Sequence, residues 1–573
     1  MKTILISLAL LFCCWTAAAD ELELRWGGKV QSDVRFRIES KASGDFYKTY
    51  ELPTGVARNE NIFNMKLDAL YGFYAGVVDV DFVWLGYPES LDGIADLSTR
   101  GNVDPYYLQV HALYLEAANF IVEGLDLRVG QQQVKWGVGD QFNPTNTINP
   151  NDVEDVLLFG EQMANLMVKL DYAIYDMWTV SGVLVPIFQP ALLPRSGYLG
   201  IAATDRFPMV NEQLRHRIRS EQQLARQLGW PTVVDEAVPV MPDKSIENMQ
   251  FAFRLSGTLL DQDIAVSYYR GRTDFPQAYQ NYTVQGSPFA EPQCSPQDDL
   301  DCVNGLLETE ISLGYPEIQV VGLNLSGEVD LLGWLSDSIH PIGYRLEFAA
   351  IFPKKQTIGM IQEAMDFGIV TQPAGEYDYD GDGNPGGAQP VVVDSIPFFK
   401  WVLGLDYSFG RHIYANLMWI HGLVDEFGIG WAVRQGESMS DQTDLLTCQT
   451  SGDFRTCNSR EILRPRLGDY VVFGLDFKFL DDRLLLRLFS ILDITGIDEA
   501  VWDRRAERMI KKHNSFYTEK GFSAVIYPEL GYNFGNGLEV GLGVLLQLGK
   551  EYTKFGDPAA GGSLAWARAR FSF

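Results

Sequence analysis

The strongest constraint on this chain is a two-residue period that recurs almost from end to end. In YVVFGLDFKF, Val471, Phe473, Leu475, Phe477 and Phe479 share one side, while Gly474, Asp476 and Lys478 share the other. In FKWVLGLDYSF, Phe399, Trp401, Leu403, Leu405, Tyr407 and Phe409 oppose Lys400, Gly404, Asp406 and Ser408. LEVGLGVLLQL (538–548), MQFAFRLSG (249–257), IGYRLEFA (342–349) and VQSDVRFRI (30–38) repeat the pattern. A strand turns successive side chains to opposite faces, so each segment reads as a strand with one apolar face. About ten residues of alternation per segment is the signature of a membrane-crossing strand. Beyond residue 20 no run of about 18 uncharged apolar residues occurs, which excludes helical spans. In hydrocarbon every backbone group must be paired internally, and strands achieve that only in a closed barrel.

Eighteen such segments can be read, from 24–39 to 563–573, giving an expected all-β, transmembrane antiparallel barrel of about 18 strands (16–18). Short links such as Gly410-Arg411, Asp481-Asp482 and Gly535-Asn536 alternate with long ones. Barrels of the outer membrane have short periplasmic turns and long extracellular loops. An even strand count then puts both termini on the periplasmic side. Helices are expected in the long links: Asn211–Leu228 is amphipathic, a candidate plug or lid, and Asp498–Lys512 is a charge-rich stretch.

The N-terminus, MKTILISLALLFCCWTAAAD, reads as a signal peptide over residues 1–19, cleaved before Asp20, leaving 20–573 as one barrel domain. The formal net charge of −29 argues against nucleic acid as a partner, because phosphate contacts need clustered Lys and Arg. No Lys or Arg occurs from Thr273 to Tyr344 or from Gln356 to Phe399. The outer rim is therefore expected to be acidic, able to hold divalent cations that bridge lipopolysaccharide or to concentrate cationic solutes. Simple solubility of exposed loops explains it equally well.

The face opposite the apolar one carries both signs of charge. Expected lumen groups are Arg128, Arg254, Arg345, Lys400, Lys478, Arg487, Arg568 and Arg570, set against Glu347, Asp406 and Asp476. Near-balance implies salt-bridge ladders around a polar channel, with no single-sign ring. The stretch GQQQVKWGVGDQFNPTNTINPNDVEDVL starts as a strand and breaks into tight turns at Asn143-Pro144, Asn149-Pro150 and Asp152. Such a link can fold back as a constriction, with Trp136, Asn143, Asn149 and Asp152 as its candidate residues.

Two resemblances follow. Gly130, Gln131, Trp136-Gly137, Asn149-Pro150 and Asp152 resemble the motif of large proteobacterial outer-membrane barrels known as domain of unknown function 1302. That resemblance implies a barrel associated with export or uptake of hydrophobic compounds, and assigns no catalytic residue. The final LAWARARFSF resembles the closing strand of outer-membrane porins. There the terminal aromatic, here Phe573, is read by the barrel-assembly machinery, which becomes an implied partner beside membrane lipid.

Cys294 with Cys302, and Cys448 with Cys457, form two local pairs, each within one expected outer link; local disulfides are the simplest of three connectivities. Asp378, Asp380, Asp382 and Asn384 in DYDGDGN match the opening of a calcium loop, but Gln389 stands where the closing carboxylate belongs. A solvated acidic turn remains the alternative, and Ca2+ is the only cofactor suggested. His421 is the best-placed histidine for chemistry, yet no hydrolase motif accompanies it and no enzyme activity is expected. The reading is a channel of the Gram-negative outer membrane, passing small or moderately hydrophobic molecules, selected by lumen charge pairs and infolded loops. The alternatives are a structural or adhesive barrel with acidic, disulfide-braced loops, and a barrel hydrolase.

Overall fold

The computed structural model describes residues 21–44, 49–86, 97–98, 100–155, 160–175, 177–193, 232–285, 307–330 and 340–354. It further describes 356–362, 364–366, 369–372, 389–393, 396–426, 461–463, 467–503, 505, 508–550, 553–557 and 560–573. Eighteen antiparallel strands close on themselves. They are β1 (Glu23–Arg37), β2 (Gly55–Tyr71), β3 (Tyr74–Leu85), β4 (Tyr106–Ala117), β5 (Leu125–Gln132) and β6 (Asn165–Ile174). Next come β7 (Trp178–Val185), β8 (Gln250–Leu259), β9 (Gln262–Arg272), β10 (Glu317–Val329), β11 (Ile342–Pro353) and β12 (Phe398–Phe409). The wall ends with β13 (Ile413–His421), β14 (Asp469–Phe479), β15 (Leu484–Asp493), β16 (Ser523–Asn533), β17 (Leu538–Gly549) and β18 (Leu564–Ser572). Each expected strand is present, though β2 starts six residues earlier than the expected 61–71 and β5 stops four before the expected end at 136.

The barrel closes where β18 pairs with β1, from Lys29 opposite Ser572 to Arg37 opposite Leu564. Gly28 and Phe573 exchange both backbone hydrogen bonds, each 3.1 Å, which extends the seam to the final residue. Gly28 must be small here: a Cβ on it would lie 2.2 Å from the Asn64 carbonyl oxygen on β2.

The outer surface explains the alternation. Leu403, Leu405, Leu417, Phe473 and Leu542 are exposed on the wall, a pattern stable only against lipid. Trp84, Tyr106, Trp401 and Trp419 mark the end with the long links, and Trp26, Phe73, Phe409, Phe534 and Phe573 the end with the short ones. β1 begins and β18 finishes at the short-link end. On β18 the small and aromatic face is outward, while Trp566, Arg568 and Arg570 turn to the lumen.

Among the described residues the long links carry sheets more than helices. Thr232–Pro239, Leu307–Gly314, Gln277–Gln285, Gln356–Gln362 and Gln389–Val393, from three different links, build a five-stranded sheet. Among the described residues the one α-helix is the four-residue turn Arg100–Val103. The helix expected over Asp498–Lys512 is instead a hairpin, Ile497–Asp503 with Arg508–Asn514, joined at its edge by Glu461–Leu463. Cross-strand partners satisfy the backbone there and override a weak helical charge pattern. The stretch Asn211–Leu228, the signal segment, all four mature cysteines and Asp378 to Asn384 lie outside the described residues. We expect Gly28→Ala to reduce the fraction of protein running as the compact, heat-modifiable band on an unheated gel, because the seam must part to admit the methyl.

Candidate functional site

The link between β5 and β6, described over 133–155 and 160–164, does not stay at the rim. It runs through the lumen and bonds to opposite walls. Its own shape comes from amide side chains. Asn149, 1% exposed, accepts from the Val134 N–H (2.7 Å) and donates to the Gln132 and Met163 carbonyls (3.0 and 2.9 Å), clamping the two ends together. Gln162 donates to the Asn146 and Asn149 carbonyls and accepts from the Asn146 side chain. Asn146 also accepts from the Trp136 N–H, and Trp136 is buried. Asp152 accepts from the Glu154 N–H in a tight turn. Gly137 lies against Asn143, where a Cβ would meet its side chain at 2.2 Å, and Gly130 on β5 takes φ +141° with no room above Leu113 and Tyr114. The motif residues are thus the parts that fold this link inward.

One wall grips the link through a buried carboxylate. Glu347 on β11, 0% exposed, accepts four hydrogen bonds, all from the link. They come from the N–H groups of Val138 (2.8 Å), Gly139 (3.1 Å) and Thr145 (2.7 Å), and from the Thr145 hydroxyl (2.8 Å). Asn324 on β10 donates to that hydroxyl at 3.1 Å. Asp140 accepts from Arg345 on β11 and from Asn416 on β13 (2.7 Å). The facing wall uses the opposite charge. Arg35 on β1 holds both Asp155 oxygens at 2.5 and 2.6 Å, and Arg58 on β2 holds both Glu154 oxygens at 2.9 and 3.0 Å. Bidentate guanidinium–carboxylate pairs fix orientation as well as position.

The remaining candidate lumen residues fall into short pairs along the wall. Arg128 is bidentate to Glu116, Arg487 to Asp476 (both 2.8 Å), and Arg345 reaches Asp406 at 3.1 Å besides Asp140. Arg568 holds Asp33 at 2.7 Å, and Arg570 holds Glu539. Lys400 is buried and donates to the Leu423 carbonyl at 2.5 Å. Lys478 lies exposed at the short-link rim, tied to His412 only through its backbone. Arg254 has no carboxylate partner among the described residues and instead stacks over Trp136, 5.9 Å from the ring centre.

Two features were not read from the sequence. The first is the set of link acids, Asp140, Glu154 and Asp155; the signal was their place in a turn-rich link of a barrel whose lumen carries Arg. The second is an apolar cluster inside the barrel. Val402, Ile420, Val472, Ile491, Val525 and Leu545 face inward in the long-link half, where Phe142 of the link and Phe555 of the last long link pack on them. Strands apolar on both faces, as in WIHGLV and FSILD, were its trace. Beside the link, toward the short-link end, a water-accessible cavity of about 230 Å³ remains between Asp140, Gln141 and β13 to β16.

His421 faces outward. It stacks on Trp401 at 4.0 Å and bonds Asp469 at 3.0 Å, which also accepts from Trp419. Among the described residues no hydroxyl or thiol hydrogen-bonds it, so the cluster has no nucleophile. No group of three or more His, Cys, Asp or Glu among the described residues is arranged for a metal.

The link carries titratable groups of its own. Burial, then the neighbouring Asp152 and Asp155 carboxylates, push the Glu161 carboxyl up to about 7, although the residue still reaches water. Asp152 is raised in the same way, by burial and then by Glu154 and Asp155. A carboxyl raised in the folded link binds its proton more tightly there than when free. Its hold is complete below the ordinary carboxyl value and is lost as pH rises toward about 7. Amides of 133–164 should therefore exchange hydrogen faster at pH 8 than at pH 5, after correction for intrinsic rates, and Glu161→Gln should remove much of the difference. Replacing Glu347 by Ala removes the acceptor of three link N–H groups and the Thr145 hydroxyl, at about 1–3 kcal/mol for each buried donor left unsatisfied. Exchange across the link should then speed by about a hundredfold or more.

Residues 108–339 match the model of a family described as protein of unknown function (DUF1302), bearing out the motif resemblance over the stretch that holds the lumenal link. Solved structures with a similar course of chain include OpdK of Pseudomonas aeruginosa, solved with vanillate. It shares 10% identity over 96% of this chain and 98% of that one, with a TM-score of 0.42. Acinetobacter baumannii OccAB1 shares 8% identity over 96% of each chain, TM-score 0.41, and Pseudomonas aeruginosa OpdH 10% over 96% and 97%, TM-score 0.41. No curated protein matches the sequence. The barrel assignment stands on the strand pairing and the exposed apolar belt, and owes nothing to these likenesses.

Proposed function

We propose that the protein is a porin-like channel of the bacterial outer membrane, passing small or moderately hydrophobic molecules past a constriction made by residues 133–164. The observation that carries this reading is a link bonded to both walls of the lumen, with an open cavity of about 230 Å³ beside it. An 18-strand barrel is wide enough for water unless something fills it. Here the link and the apolar cluster narrow the long-link half, and the polar ladder lines what is left. Arg345 and Asp140, with Arg487 and Asp476, stand at the passage as paired charges, which suits selection by shape and local polarity more than by net charge. In this reading the short links and both termini face the periplasm, and the acidic long links face outward toward lipopolysaccharide.

Conductance in a planar bilayer tests it. The refolded protein should give steady ion steps, and Glu347→Ala, which frees the link, should give larger or noisier ones. Silence from both proteins, with heat-modifiable folding intact, would overturn the channel reading. A structural or adhesive barrel would then take its place, favoured by the five-stranded sheet that three long links build together.

A further inference from the structure

The cavity beside the link has an electrostatic feature that the ladder does not account for. Its charged lining is Asp140, Asp476 and Glu529 against Arg487. Three of these four are committed. Arg487 gives two N–H groups to Asp476, and Asp140 is held by Arg345 and Asn416. Glu529 on β16 differs: Arg487 and Arg568 lie near enough to attract its carboxylate, but among the described residues no donor hydrogen-bonds it. Arg568, also on this side of the lumen, donates to Asp33. A second acceptor, the Asn416 side-chain oxygen, is likewise without a donor.

The rest of the lining mixes three aromatic rings with Gln141, Asn416, Met418, Val472 and Gly474. Tyr414, Phe489 and Tyr527 face the cavity, and Tyr527 meets Trp566 at 6.0 Å between ring centres. Gly474 leaves one wall bare, and Gly541 and Gly543 are roofed by the Trp566 indole, where a Cβ on Gly543 would come within 2.6 Å of the ring. Glu529 is half-buried, and a carboxylate without a donor gains most from a charged N–H group, because charge-assisted hydrogen bonds are about twice as strong as neutral ones. Aromatic faces attract the same cations and cover the carbon attached to them. Acid-rich long links at the mouth raise the local concentration of cations.

We propose that this cavity is a docking subsite for solutes that carry a protonated amine on a flat or apolar body. The ammonium group donates to Glu529 and the body lies against Tyr527, Phe489 and Tyr414. The subsite deepens the channel reading and rests on it for its place along a route.

The test uses the full mature barrel, with benzylammonium as probe and benzyl alcohol and benzoate as its neutral and anionic counterparts. In a bilayer, benzylammonium should interrupt the ion current in a concentration-dependent way, and the other two should not. Glu529→Gln should weaken that block by about tenfold, equivalent to about 1.4 kcal/mol. Heat-modifiable mobility verifies that the variant folds. Equal block of the variant, or block by benzoate as strong as by benzylammonium, would overturn the subsite. Calorimetric titration of benzylammonium into the detergent-solubilised protein separates the two readings. Binding that Glu529→Gln weakens, in a protein giving no current, would sink the channel and keep the subsite. Ion steps without benzylammonium binding would do the reverse.

Discussion

A single buried carboxylate organises the interior of this barrel. Glu347 sits on the lumen face of β11 with no exposure to water, and a charge so placed is costly unless every lone pair is met. Among the described residues no wall cation hydrogen-bonds it, although Arg254 on β8 lies near enough to attract it. Four donors arrive instead from the link between β5 and β6, three of them backbone N–H groups that would themselves be unsatisfied in the lumen. Wall and link are therefore each other's solvent. The link has to cross the lumen because both partners lose hydrogen bonds if it leaves.

The opposite side obeys the same rule with the signs exchanged. Arg35 and Arg58 are deeply placed guanidiniums, and Asp155 and Glu154 of the link complete their coordination. The link thus offers donors where the wall carries an acid and acids where it carries bases. This complementarity leaves most of the lumen ladder paired and gives it little net charge. Against that background, Glu529, which no donor hydrogen-bonds among the described residues, and Arg254, stacked on the Trp136 indole, are the exceptions.

The two halves of the lumen differ in solvent. Toward the long links, inward-facing Val402, Ile420, Val472, Ile491, Val525 and Leu545 form a core with Phe142 and Phe555, so this half is closed by hydrophobic packing of the kind found inside soluble domains. Toward the short links the inward positions mix charged side chains with Tyr414, Phe489 and Tyr527 around an open cavity. The cavity lies at this boundary, where a solute with an apolar body and a polar head finds both environments within one molecular length.

The sequence by itself determined the wall. Alternation, short and long links in turn, and the aromatic closing strand are local properties, because a strand's two faces are set by the peptide pleat and the lipid on one side. The turn-forming asparagines marked the link for the same reason: Asn149 needs only neighbours within about fifteen residues. What lay beyond reach was pairing at a distance. Arg35 meets Asp155, and Glu347 meets Thr145, across a lumen whose width depends on how many strands close the ring. Inward apolar residues could not be told from lipid-facing ones until the links that cover them were in place. The hairpin at 497–514 was misread as a helix because its edge partner, Glu461–Leu463, is remote in sequence. Tertiary structure decided which charges are spent on the protein and which are left for a solute, since only closure of the barrel brings the partners of a buried charge within hydrogen-bonding distance.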